Sequence, residues 1–385
     1  MRVIHHFAAI AALPLLMLAS CGGGGGTDVS APGSGPDLPA GQVNTYGNTN
    51  LPGRFLIPAS SGPATVYDLR TGLPSQPPSS PSLGNAWYGS SNNSTVLRVS
   101  AAANSTENFD NVRTSDWAKT NSGINVRGET RWPKLSPDGR YVVSFWRDVN
   151  ESYYNRLSVF DTTNSVIVKR GSVMDGQSIL SSPVGWLPDG RYVFLSGRQL
   201  YVSSPTAQVD TLIATLNLPD NSVTQNGEFT SRAVHLAVSP DGTKIAFNWA
   251  TARAAATDNL IWVVNVDGSN LHKLTIPPNA GSAVASNFSN PTWSPDSKWI
   301  AGVNFMSGAT GAPIFPPDQS FPGVPGGIIG GLGCEKNAVF VLPADAANVP
   351  VSWPAYDPNY SVKVRNASGT GGAWVSSCTS LIWLP

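Results

Sequence analysis

Charge, cysteine and histidine are all scarce in this chain, and each scarcity excludes something. Charged side chains make up 12% of it, about half the usual share of roughly 25%. Lys plus Arg and Asp plus Glu balance at 24 each. A nucleic-acid protein needs a basic stripe to displace counterions from phosphates, and a formal charge of zero provides none. Nor is there a polybasic patch for anionic lipid. The three cysteines are Cys21, Cys334 and Cys378, with no Cys-x-x-Cys pair. Of four histidines, only His235 and His272 lie beyond the first turns of the chain. No Gly-x-Ser-x-Gly elbow occurs. Gly171 to Ser178 mimics a phosphate loop, but Gln177 stands where the lysine is required. No cofactor and no metal are expected.

Long apolar runs are missing too. The longest, Phe7 to Leu18, is too short to cross a ~30 Å bilayer as a permanent helix. It follows a short polar start at Arg2, His5 and His6 and leads directly into Leu18-Ala19-Ser20-Cys21. These four residues resemble the lipobox of bacterial lipoproteins: an aliphatic residue, two small residues, then cysteine. The resemblance implies that residues 1–20 are a cleaved export signal and that Cys21 carries a diacylglycerol. Several acyl chains give a stable anchor where one alone would be marginal. Gly22 stands where aspartate would favour retention at the inner membrane, so the outer membrane is favoured. Residues 21–50 are rich in Gly, Pro and Ser without apolar periodicity, and are expected to be a flexible tether. Such a segment would reach about 30 Å.

What is abundant is turn chemistry: 38 Gly and 32 Pro. Four segments share one pattern: Leu135-Ser136-Pro137-Asp138-Gly139-Arg140-Tyr141, Trp186-Leu187-Pro188-Asp189-Gly190-Arg191-Tyr192, Val238-Ser239-Pro240-Asp241-Gly242 and Trp293-Ser294-Pro295-Asp296-Ser297. Their prolines recur at intervals of 51, 52 and 55 residues. Proline sets φ at the first corner, aspartate bonds backbone amides and glycine accepts positive φ, so each segment is a tight turn between strands. Third strands are expected at Leu157–Asp161, Leu200–Val202 and Leu260–Asp267, and a fourth at Leu271–Thr275. Four short strands per repeat make a propeller blade.

The turn, the strand after it and the aromatic-Val-x-Asp strand resemble the WD40-like repeats of TolB-type propellers, over about residues 51–385. The resemblance implies an all-β propeller. It leaves function open, because such propellers serve in binding proteins, protease accessory domains and lyases. Lyases of this kind are expected to use histidine-rich metal sites, which two separated histidines cannot supply. Leu381-Ile382-Trp383-Leu384-Pro385 reproduces the strand before the turn, and Gly53-Arg54-Phe55-Leu56-Ile57 the strand after it. One blade is therefore expected to be split between the ends of the chain, closing the ring and removing free edges. The count is six blades, or seven if a degenerate blade lies between residues 85 and 131.

Antiparallel order puts the Asp-Gly turns on one face. The loops between second and third strands, and the crossovers between blades, share the other. The expected binding face is this second one, with the channel mouth: Trp146, Arg147 and Asp148 with Tyr153 and Tyr154, Arg198, Trp249 with Arg253, and Glu129, Arg131, Glu228, Arg232 and His235 from crossovers. A long Gly/Pro/Phe-rich insertion, residues 305–337, lies here as well, and a loop of that length is usually functional or disordered. A Cys334–Cys378 disulfide would pin it to the neighbouring blade in an oxidising compartment. His272 is expected to face solvent. The reading is a membrane-tethered binding or scaffold protein for an unknown envelope protein, peptide or polymer. The alternative is a glycan lyase or hydrolase using carboxylates and arginines in the channel.

Overall fold

In three of the four turns a serine hydroxyl holds the turn, and Leu187 stands in its place in the other. Ser136 Oγ donates to Asp138 Oδ1 (2.5 Å) and accepts from the Tyr141 amide (2.8 Å). Ser239 does the same with Asp241 and Lys244, and Ser294 with Asp296 and Trp299. The aspartate then accepts the amide two residues on, as Asp241 does from Thr243 (3.0 Å). Gly139, Gly190 and Gly242 take φ of +74°, +83° and +71°, and Ser297 takes +60° at the same position. Each turn thus satisfies its polar groups locally and delivers the chain into an apolar strand.

In the computed structural model the described residues are 34–35, 51–58, 64–70, 73–77, 85–90, 92–102, 106–127, 129–147, 156–173, 184–219, 233–252, 257–277, 287–305, 338–351, 363–365, 372–374 and 381–385. They form a six-bladed β-propeller. The first blade pairs Ile382–Leu384 with Arg54–Ile57, Thr65–Asp68 and Pro74–Ser75. The second is Asn85–Gly89, Thr95–Ala102, Thr106–Arg113 and Lys119–Arg127. The third is Glu129–Leu135, Tyr141–Arg147, Arg156–Asp161 and Val166–Val173, and the fourth Val184–Trp186, Tyr192–Ser196, Gln199–Ser203 and Thr211–Thr215. The fifth is Ala233–Val238, Lys244–Ala252, Thr257–Asn265 and His272–Lys273. The sixth comprises Asn287–Trp293, Trp299–Phe305 and Ala338–Pro343. Residues 85–127 form one blade, which settles the count at six.

Apolar side chains on the two faces of each blade pack between neighbouring blades. Val143, Phe145 and Val159 of the third blade meet Val184, Trp186 and Phe194 of the fourth. The largest cluster joins the fourth, fifth and sixth blades around Phe247, Trp249, Phe288 and Phe340. The tryptophan before the turn has a polar task as well. Trp186 Nε1 donates to the Lys134 carbonyl (2.7 Å), and Trp293 Nε1 to the Ala237 carbonyl (3.0 Å), each in the inner strand of the preceding blade. A buried indole N–H is thereby satisfied while two blades are tied together.

The ring closes as expected. Arg54, Phe55 and Leu56 pair antiparallel with Leu384, Trp383 and Ile382. Phe55 meets the Trp383 ring edge-on at 4.8 Å, and Trp383 Nε1 donates to the Pro52 carbonyl (2.7 Å). The two halves of one turn meet here: Gly53 has φ +79°, like Gly190, and Arg54 Nε donates to the Pro385 main-chain oxygen (3.2 Å). The segment read as a free tether departs from that reading at one place. Ser34–Gly35 pairs antiparallel with Gly372 and Ala373, because an edge strand offers unpaired backbone groups to any extended segment in reach. Cys21, Cys334 and Cys378, and with them the expected lipid site and disulfide, lie outside the described residues.

Two glycines separate the demands of the turn from those of closure. A Cβ at Gly190 would meet nothing within 4 Å, so Gly190→Ala should cost about 1–2 kcal/mol from positive φ alone. A Cβ at Gly53 would lie 2.1 Å from the Leu384 carbonyl oxygen, so Gly53→Ala should cost more and loosen the closing ladder. Urea unfolding of the two variants measures the difference; equal losses would refute it.

Candidate functional site at the central channel

The inner strands of all six blades converge on one cavity of about 80 Å³. Its wall lies at the end of those strands that runs into the Asp-Gly turns. One position in the repeat supplies much of it, the residue just before the buried apolar residue that precedes the turn. That position is Lys134, Gly185, Ala237, Thr292 and Ile382 in successive blades. Four of these five are small or uncharged, and Lys134 contributes an ammonium group.

Lys134 sits in Glu129–Leu135, paired with Val143, and its carbonyl holds the Trp186 indole. Leu135 turns into the cluster shared with the second blade, which sends Lys134 the other way. Protein surrounds its side chain while the channel keeps it in partial solvent contact. Burial pushes its ammonium down to about 8. Burial, and then repulsion from Lys134, pushes the His235 imidazole down to about 3, and His235 Nε2 is buried without a hydrogen-bond partner. The neutral imidazole therefore adds no charge beside the lysine.

Across the channel, Asn93 takes φ +51° and its Nδ2 donates to the Trp383 carbonyl (2.8 Å), leaving Oδ1 buried without a partner. Thr292 Oγ1 accepts from the Trp383 amide (3.3 Å). The closing strand is thus held by the blades on either side of it. These residues escape a search for catalytic motifs, because they are single substitutions at a repeated position. The usable signal is Lys134 aligned against Gly185, Ala237 and Thr292.

The residues expected on the crossover face are partly brought together. Glu129 pairs with Arg147 and Arg131 with Phe145, so Arg131 and Arg147 share the crossover end of the third blade. Arg198 is half-buried in the hairpin of the fourth blade at the same end. His235 lies within the inner strand of the fifth. Asp148, Tyr153, Tyr154, Glu228, Arg232, Arg253 and the 305–337 insertion beyond Phe305 fall outside the described residues. Two tryptophans correct the expectation. Trp146 is 6% exposed, packed among Leu97, Phe109 and Phe160 under the Arg170 guanidinium. Trp249 is fully buried, with Nε1 donating to the Pro219 carbonyl (3.2 Å). Both lie near strand ends, where a large ring is drawn into the gap between blades. His272 is likewise only half exposed: Nδ1 sits 2.9 Å from the Asn270 carbonyl oxygen and Nε2 is buried.

No protein-family model and no curated protein sequence matches the chain. Among solved structures it is similar to TolB from Acinetobacter baumannii, with 15% identity over 88% of this chain and 68% of that one, at a TM-score of 0.48. It is also similar to the Cps50 (Swd1) propeller domain of Myceliophteria thermophila, with 10% identity over 89% and 98% of the two chains, at a TM-score of 0.44. The strand pairing described above, and not these likenesses, establishes the architecture.

The two depressed pKa values act on stability in one direction but in separate windows. Both groups bind protons more weakly folded than unfolded, so stability rises with pH between the folded and unfolded values. For Lys134 that window runs from about 8 up to its ordinary 10.5, and for His235 from about 3 up to 6.5. Lys134→Met should remove the rise above pH 8 and stabilise the protein below it, by an amount of the order of 1 kcal/mol or more. His235→Gln should flatten the loss between pH 6.5 and 3. Melting temperatures across pH 3–10.5 measure both; profiles parallel to wild type would show that neither group is buried as described.

Proposed function

We propose that the chain is a cell-envelope lipoprotein, anchored through Cys21 and favouring the outer membrane, whose propeller is a scaffold for binding a protein, peptide or envelope polymer. The observation that carries this reading is the asymmetry of the two faces. On the Asp-Gly face the polar groups are committed to structure. Asn111 Nδ2 reaches the Gly139 carbonyl of the next blade (2.6 Å), Arg54 Nη2 the Thr114 carbonyl (2.9 Å), and Ser297 Oγ accepts the Asp241 amide (3.1 Å). Asp138, Asp189, Asp241 and Asp296 are bonded within their turns. The strand positions Arg131 and Arg147 and the hairpin at Arg198 lie at the other end of the blades, where loops tolerate change more readily than the strands they join.

The alternative, a lyase or hydrolase working through carboxylates in the channel, needs two such groups flanking a sugar bond. The described lining of the cavity offers an amine, a carboxamide and hydroxyls in their place. That set is suited to holding a group, and it favours the binding reading.

Two measurements test the proposal. Cys21→Ala should move the protein from the membrane to the soluble fraction with an unchanged melting temperature; a variant that stays membrane-bound refutes the anchor. Crosslinking in the native envelope should recover a macromolecular partner, and Arg147→Ala, Arg232→Ala and Arg253→Ala together should abolish its capture. Full capture by the triple variant would rule out the crossover face.

A further inference from the structure

The channel cavity has a composition that the scaffold reading does not use. Its charged lining side chain is Lys134, and among the described residues no carboxylate lies in its wall. Among the described residues, no ion pair or side-chain hydrogen bond engages the Lys134 ammonium. Elsewhere the fold pairs its enclosed cations. Arg98 bonds Asp110, both side chains 8% exposed, and Lys169 bonds Asp210 and Ser203 at 2.6 Å each. A cation enclosed by protein is costly to leave uncompensated, and this one faces open volume.

The rest of the wall is mixed. Thr292 brings a hydroxyl, the Ser90 hydroxyl is spent on Asn92 Oδ1 (3.0 Å), and Ile382 and Val238 bring aliphatic surface. A Cβ at Gly185 would meet Leu236 and Val238 at 2.9 Å, so this glycine lets the fifth blade approach closely, and Ala237 adds little bulk to the wall. By the usual allowance of about 10–15 Å³ per enclosed water, roughly half a dozen waters fit, which is the size of a molecule with about four to six heavy atoms. A dianion would exchange one uncompensated charge for another, whereas a monoanion neutralises the lysine. A short alkyl end would use the aliphatic wall that an inorganic ion leaves unfilled.

We infer that the central channel, at its Asp-Gly-turn end, is a binding site for a small free monocarboxylic acid, held by an ion pair with Lys134, by the Thr292 hydroxyl and by aliphatic side chains of the neighbouring inner strands. The site lies at the opposite end of the inner strands from the crossover face, so it stands or falls independently of partner capture there.

The test is a titration of the full chain, labelled with 13C-lysine, with propionate, followed on the lysine Cε resonances at constant ionic strength. One lysine resonance should shift saturably and disappear in Lys134→Met. At saturation its titration midpoint should rise by about one unit or more, because the bound anion favours the ammonium. Propionamide, which is uncharged and of the same shape, should leave it unmoved, and benzoate should be excluded by size. Lys134→Gln provides a second variant with a polar side chain, and melting temperatures report the fold of both. The inference is overturned if propionate shifts every lysine in proportion to its concentration, if propionamide binds equally well, or if either folded variant retains a saturable lysine shift.

Discussion

Everything in this molecule depends on a ladder of three residue pairs, Arg54, Phe55 and Leu56 against Leu384, Trp383 and Ile382. A blade buries its two faces only against neighbours, so an open row of six would leave an apolar face exposed at each end. The ladder converts the row into a ring. Its few backbone bonds are reinforced from both sides: Asn93 of the second blade takes the Trp383 carbonyl, and Thr292 of the sixth takes the Trp383 amide. Trp383 also fills the cluster that contains Leu51, Phe55 and Val339. One residue thus has its amide, its carbonyl, its indole N–H and its ring all engaged, and together they tie the closing strand to the first, second and sixth blades.

The same economy operates in the ordinary blades. The serine and aspartate of three of the turns satisfy one another. That leaves the next layer of polar groups free to bridge blades, as Asn111, Ser297 and Lys169 do. The Asp-Gly face becomes a stitched rim. Among the described residues, the crossover ends of the strands show no such recurring device.

The architecture was legible in the sequence because it is periodic and local. The Ser-Pro-Asp-Gly turns, their spacing of 51 to 55 residues and the half-motifs at Gly53 and Pro385 predict blades, strand order and closure. The channel was not legible, because its chemistry comes from residues scattered over six repeats that meet only when the ring forms. Lys134 looks like any strand lysine until it is aligned with Gly185 and Ala237. Trp146 and Trp249 fall towards the crossover ends of their strands, and how deeply such a ring is buried is set by the neighbouring blade, which the sequence of one repeat does not carry. Ser34–Gly35 carries no strand signal at all, and its pairing reflects an available edge at Gly372–Trp374.

The meeting of two half-turns at the closure has a topological meaning. Trp383-Leu384-Pro385 and Gly53-Arg54-Phe55 differ from the intact Trp186-Leu187-Pro188-Asp189-Gly190-Arg191-Tyr192 by little more than one missing aspartate between Pro385 and Gly53. The propeller is in effect a circle opened at one of several equivalent turns. Where an ordinary blade runs through its turn in one piece, this one assembles the turn across a gap, with Leu51 packed in the Trp383 cluster and the Pro52 carbonyl accepting the Trp383 indole N–H.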